Sequence, residues 1–85
     1  MDSFIRLQEI SQEISQVEEE KLQSEQRLGL FWEHLPPLDP EAIAKMMQEI
    51  LNHIRGLEER KEALLQERRE LTARVAGIAL DSQRE

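Results

Sequence analysis

Eighty-five residues make one domain at most, with a thin stability margin, and with no cysteine a disulfide cannot widen it, so helix packing or association must hold the fold. A formal net charge of −7 argues against a nucleic-acid backbone or an anionic lipid surface as partner, since both attract clustered Lys and Arg, and it favours solubility or a basic protein partner. No apolar run approaches the roughly 18–20 residues needed to cross a bilayer, and Met1 to Ile10 lacks the basic start and apolar stretch of a signal peptide, so the expectation is a soluble, cytoplasmic protein without membrane insertion.

Glu, Gln, Leu, Arg and Ala are abundant while aromatics are 4% and Tyr is absent, a balance that suits helices and starves strands. The first predicted helix spans about residues 3–35. Leu7, Ile10, Ile14, Val17, Leu28, Phe31 and Leu35 recur at alternating spacings of three and four once Lys21 and Ser24 fill the gap, which is a heptad seam. Asp2 or Ser3 can accept backbone N–H bonds at its start, and Pro36-Pro37 forbids its continuation.

A proline-rich turn over 36–39 follows. Asp39 suits the cap of the next helix, Pro40 its first position and Glu41 its dipole. The second predicted helix runs from about residue 40 to 79 on a seam of Ile43, Met47, Ile50, Ile54, Leu57, Leu64, Leu71, Val75 and Ile78, with Lys61 and Arg68 at its polar positions. Residues 80–85 read as a frayed polar tail.

A short connector between two amphipathic helices makes them antiparallel neighbours, so the fold class is all-α: one domain over 1–85, a long coiled-coil-like two-helix hairpin open to completion into a bundle by a partner or a second copy. Folding about the prolines sets Phe31 near Ile43, Ser24 near Ile50, Val17 near Leu57, Ile10 near Leu64 and Leu7 near Arg68. Residues 1–35 carry eight acids against three bases, while Arg55, Arg60, Lys61, Arg68, Arg69 and Arg74 load the second helix, so opposite signs are expected to face each other toward the open end.

Little here suggests catalysis. His34 and His53 lack the spacing of a zinc site and read as surface histidines, two helices cannot enclose a pocket that tunes carboxylates, and no glycine-rich phosphate loop exists. The expectation is no enzyme, no cofactor and no metal. Glu18-Glu19-Glu20 is either a solvated face or a docking patch for a basic partner. Gly29 and Gly56 either admit a second backbone or are tolerated defects, and Gly77 helps the second helix finish. Lys21, Ser24, Lys61 and Arg68 either specify register or line a groove that a partner helix completes. More informative is the apolar surplus: Leu22, Leu30, Trp32, Met46, Leu51 and Leu65 lie beside or off the seam, more than a two-helix core can readily hide.

Two stretches carry a likeness: Glu-Gln-Arg-Leu-Gly-Leu-Phe-Trp-Glu-His-Leu at 25–35, before the proline-rich break, and the run from Met46 to Leu71 after it. Through them the chain from Glu18 to about Ile78, roughly three quarters of its length, resembles the FliT-type flagellar export chaperones. The resemblance implies binding of the filament-cap protein's export tail, contact with export-gate components and, in some members, restraint of a flagellar transcription regulator. The sequence departs from that pattern by a short N-terminal region and by ending at Glu85, where longer members carry a further regulatory helix, so the resemblance does not extend to autoinhibition by that helix. Leu28, Phe31, Trp32, Ile43, Met46, Met47, Ile50 and Leu51 are the expected groove for an amphipathic client helix, Trp32 and the paired methionines being suited to adaptable apolar contact. The rival expectation is a homodimeric four-helix scaffold.

Overall fold

A computed structural model of the chain describes residues 2–83, with side chains described over 3–77. Helix α1 runs Asp2–Glu33 and helix α2 Pro40–Gln83, and no strand occurs among the described residues. The two pack antiparallel as a rod of 71 × 16 × 16 Å. Its radius of gyration of 19.7 Å far exceeds the roughly 12 Å of a compact chain this long, so the molecule has a seam where a globule has a centre.

The connector behaves as its residue types dictate. The His34 N–H donates to the Leu30 carbonyl at 2.9 Å, closing the last turn of α1. Leu35, as the residue before a proline, is driven out of helical backbone, so α1 stops at Glu33 and the expected helix through Leu35 is two residues too long. Leu35 accordingly leaves the seam and stands 48% exposed. The Leu38 N–H donates to the Pro36 carbonyl at 2.8 Å, an inverse γ-turn centred on Pro37, whose ring already holds φ negative. Asp39 then caps α2: its Oδ1 accepts from the Glu41 N–H at 2.8 Å and the Ala42 N–H at 3.2 Å, and its carbonyl from the Ile43 N–H at 3.1 Å.

At the far end α2 continues to Gln83, past the expected stop at Ala79. Gly77 does not adopt positive φ and no proline follows, so nothing there breaks the helix. The seam assignment of Ile78 lies outside the described side chains, as do residues 84–85 of the tail expected to fray.

Buried side chains define one cluster. Ile10, Ile14 and Val17 of α1 pack with Leu57, Leu64 and Leu71 of α2, and Leu7 and Leu65 lean on them. This matches the expected register, β-branched residues facing leucines. Three cross-helix ion pairs agree with it: Arg6 to Glu67 at 2.7 Å, Lys61 to Glu18 at 3.1 Å and Lys21 to Glu58 at 3.4 Å. The two lysines occupy polar seam positions one turn beyond Leu57 and Val17, and each reaches the acid that follows the facing core residue. They therefore bracket that layer from both sides.

Two expectations fail. The acid-on-α1, base-on-α2 pattern holds only for Glu18 with Lys61; the other two pairs place the base on α1, because flank position counts and helix net charge does not. Arg68 is exposed, and its neighbour Glu67 is the residue that crosses to α1.

Candidate docking site at the turn end

Packing is uneven along the rod. Every buried apolar residue among those described lies within 10–17 or 57–71, toward the open end. In the turn half the one buried residue is polar, Ser24 at 6% exposure. The reason is compositional: Lys21 and Ser24 interrupt the α1 seam, so the apolar residues beyond them find no close-packed layer to join.

None of the eight groove residues is buried. Leu28, Phe31, Ile43, Met47 and Ile50 are partly covered along the seam, while Trp32 at 57%, Met46 at 40% and Leu51 at 41% are open to water. Of the off-seam residues, Leu22 and Leu30 are exposed as expected, but Leu65 packs against the core. Leu35 and Leu38 enlarge the exposed apolar surface at the turn, and Phe4 and Ile5 add some at the open end. Spacing could have flagged Phe4: the alternation of three and four carries the seam from Leu7 to Ser3 and leaves Phe4 outside.

The eight do not form one patch. A cavity of about 220 Å³ is lined by Ser24, Arg27, Met46, Glu49, Ile50 and His53, which puts Arg27 and Met46 on one flank of the hairpin. Trp32 lies five residues beyond Arg27, and Leu51 five beyond Met46. At about 100° per residue each is turned some 140° away, onto the opposite flank. The site thus has two faces joined by the seam residues Leu28, Phe31, Ile43, Met47 and Ile50.

No close approach occurs at the glycines. A Cβ added at Gly29, Gly56 or Gly77 would meet nothing within 4 Å, so no second segment of this chain uses the space they leave. A shallow depression of about 340 Å³ lies over Gln26, Gly29, Leu30 and Glu33. His34 and His53 are both exposed, and among the described residues no group of three or more His, Cys, Asp or Glu side chains is placed to hold a metal ion. Of the acidic run, Glu18 is engaged by Lys61, while Glu19 and Glu20 face solvent. The shifted ionisations belong to the open end. The hydrogen bond from Arg6 lowers the Glu67 carboxyl below its ordinary value, and the same bond raises Arg6. No described helix is long and apolar enough to cross a membrane.

The arrangement presents an open apolar surface, charged at its rims, on a frame held by the core farther along the rod. No protein-family model, no curated protein and no solved structure matches the chain.

Proposed function

We propose that this chain is a non-catalytic protein-binding module, a small cytoplasmic chaperone or adaptor whose turn end takes up a helical segment of a client. One observation carries the proposal: the apolar residues of the turn half stay partly or wholly open while the core closes farther along the rod. An amphipathic client helix would cover that surface with anchors at i, i+3 and i+4, and the distal core would hold the hairpin in shape meanwhile. The flagellar form of the proposal makes the client the export tail of the filament-cap protein, and it rests on the sequence resemblance.

The test uses a labelled synthetic peptide of that tail and fluorescence anisotropy. Met47→Asp places a charge on the proposed contact surface and is expected to weaken capture by at least about tenfold, because an unpaired charge resists desolvation. Phe4→Asp at the open end should leave capture unchanged, and circular dichroism should show both variants still helical. Equal capture by Met47→Asp would remove the turn end from the proposal; no capture by the unaltered chain would remove the flagellar client.

The rival, a homodimeric scaffold, is favoured by one feature. α2 has 44 residues to the 32 of α1, so in the observed register its stretch past about residue 72 has no described α1 residue opposite. Light scattering across a dilution series that finds a persistent dimer indifferent to the peptide would establish it.

A further inference from the structure

We infer that the turn end selects a basic amphipathic helix and seats one of its large apolar side chains in the cavity between Ser24 and Ile50. This rests on the proposed capture of a client helix and adds where the anchor goes and what charge the client carries.

The cavity follows from a size mismatch in the seam. Where the distal layers set Val17 by Leu57 and Ile10 by Leu64, the corresponding layer offers Ile50 only a hydroxymethyl group. Ser24 is buried yet too small to fill its place, and about 220 Å³ remains beside it. That is below the roughly 300–1,000 Å³ of small-molecule sites and suits one side chain delivered from outside. Met46, 40% exposed on the rim, is flexible enough to close over such a knob.

Charge identifies the occupant. Between residues 24 and 54, Glu25, Glu33, Asp39, Glu41 and Glu49 stand against Arg27 and Lys45, leaving that half at −3. Among the described residues the ion pairs all lie elsewhere, at Arg6, Lys21 and Lys61 with their acids; of these five carboxylates Asp39 is engaged as the α2 cap and the other four have no described ion-pair partner. Two turn ends pressed together would set like charge on like charge, which disfavours a second copy at this face. A helix bearing Lys or Arg beside its apolar stripe is attracted to the same ground.

Three synthetic helical peptides share one Leu-bearing apolar face and carry Lys, Gln or Glu on the other. Two probes in the full chain report separately: the ¹³C-methyl resonance of Met46 reads the cavity flank, and the emission of Trp32, the sole tryptophan, reads the other flank. The Lys peptide should shift the Met46 methyl and bind at least about tenfold more tightly than the Glu peptide, the gap narrowing as salt is added. Ser24→Leu fills the cavity from within and should raise the unfolding temperature while weakening the Lys peptide by about tenfold or more, whereas Ser24→Ala should bind as the parent does. Equal affinity for Lys and Glu peptides, undiminished binding by a folded Ser24→Leu, or a response of Trp32 without Met46 would each overturn the inference while leaving helix capture standing. If neither these peptides nor the export tail binds, both fall together.

Discussion

Arg6 gathers more charge than any other described side chain. Its Nε and Nη2 donate to the two carboxylate oxygens of Glu67 at 2.7 and 2.8 Å, and Nη1 reaches Glu9 at 3.2 Å and Glu13 at 3.4 Å. A guanidinium suits this because its fork meets a carboxylate in two parallel bonds. The bond from Arg6 pulls the Glu67 carboxyl below its ordinary 4.5, against a smaller opposing effect of desolvation. A carboxyl with a depressed folded pKa stabilises the fold above its unfolded value, and that stability is lost as pH falls through the folded one. Urea midpoints of the parent should therefore fall on acidification below 4.5, while Arg6→Gln starts lower at neutral pH and converges with the parent in acid. Parallel curves would show that the bridge contributes no pH-dependent stability. Both groups are well solvated, so added salt should shrink the difference.

The helices themselves carry a cost that no described contact offsets. Gly29 and Gly56 sit inside α1 and α2 with open space where a Cβ would go and without positive φ. Gly29→Ala and Gly56→Ala should each stabilise the hairpin by about 1 kcal/mol, read as a higher unfolding temperature. If Gly29→Ala also weakens capture of the client peptide, the missing Cβ serves a partner's approach; if capture is unchanged, the glycine is a tolerated defect. Element boundaries follow local chemistry closely where proline and Asp39 speak, and less closely at the C-terminal end of α2, where no residue type enforces a stop.

Over the whole molecule, the packed core and the proposed docking surface occupy different stretches of one rod. Ile10 is fully buried among Leu64 and its neighbours, so Ile10→Ala should cost about 2–5 kcal/mol, a large share of what a small domain possesses. Leu28, only partly covered, should cost well under half as much when cut to Ala. Chemical denaturation of the two variants checks this, and equal losses would mean that the turn half is as firmly packed as the open end. Such a division lets the turn half open locally without loss of the fold, since local stability follows local burial.

Periodicity and turn chemistry determined the two helices, their antiparallel pairing, the Asp39 cap and the core register, because each follows from spacing along the chain and from the conformational limits of proline. The same spacing marked Trp32, Met46 and Leu51 as surplus to the seam. Only the tertiary structure decided that the core closes in the middle of the rod and not at the turn, that Leu65 joins it, that Leu35 does not, and that Trp32 and Met46 face apart across the hairpin. Those outcomes depend on which side chains from the facing helix meet in each layer and on how much volume they leave unfilled. One helix's pattern cannot specify that, since burial is a property of the pair.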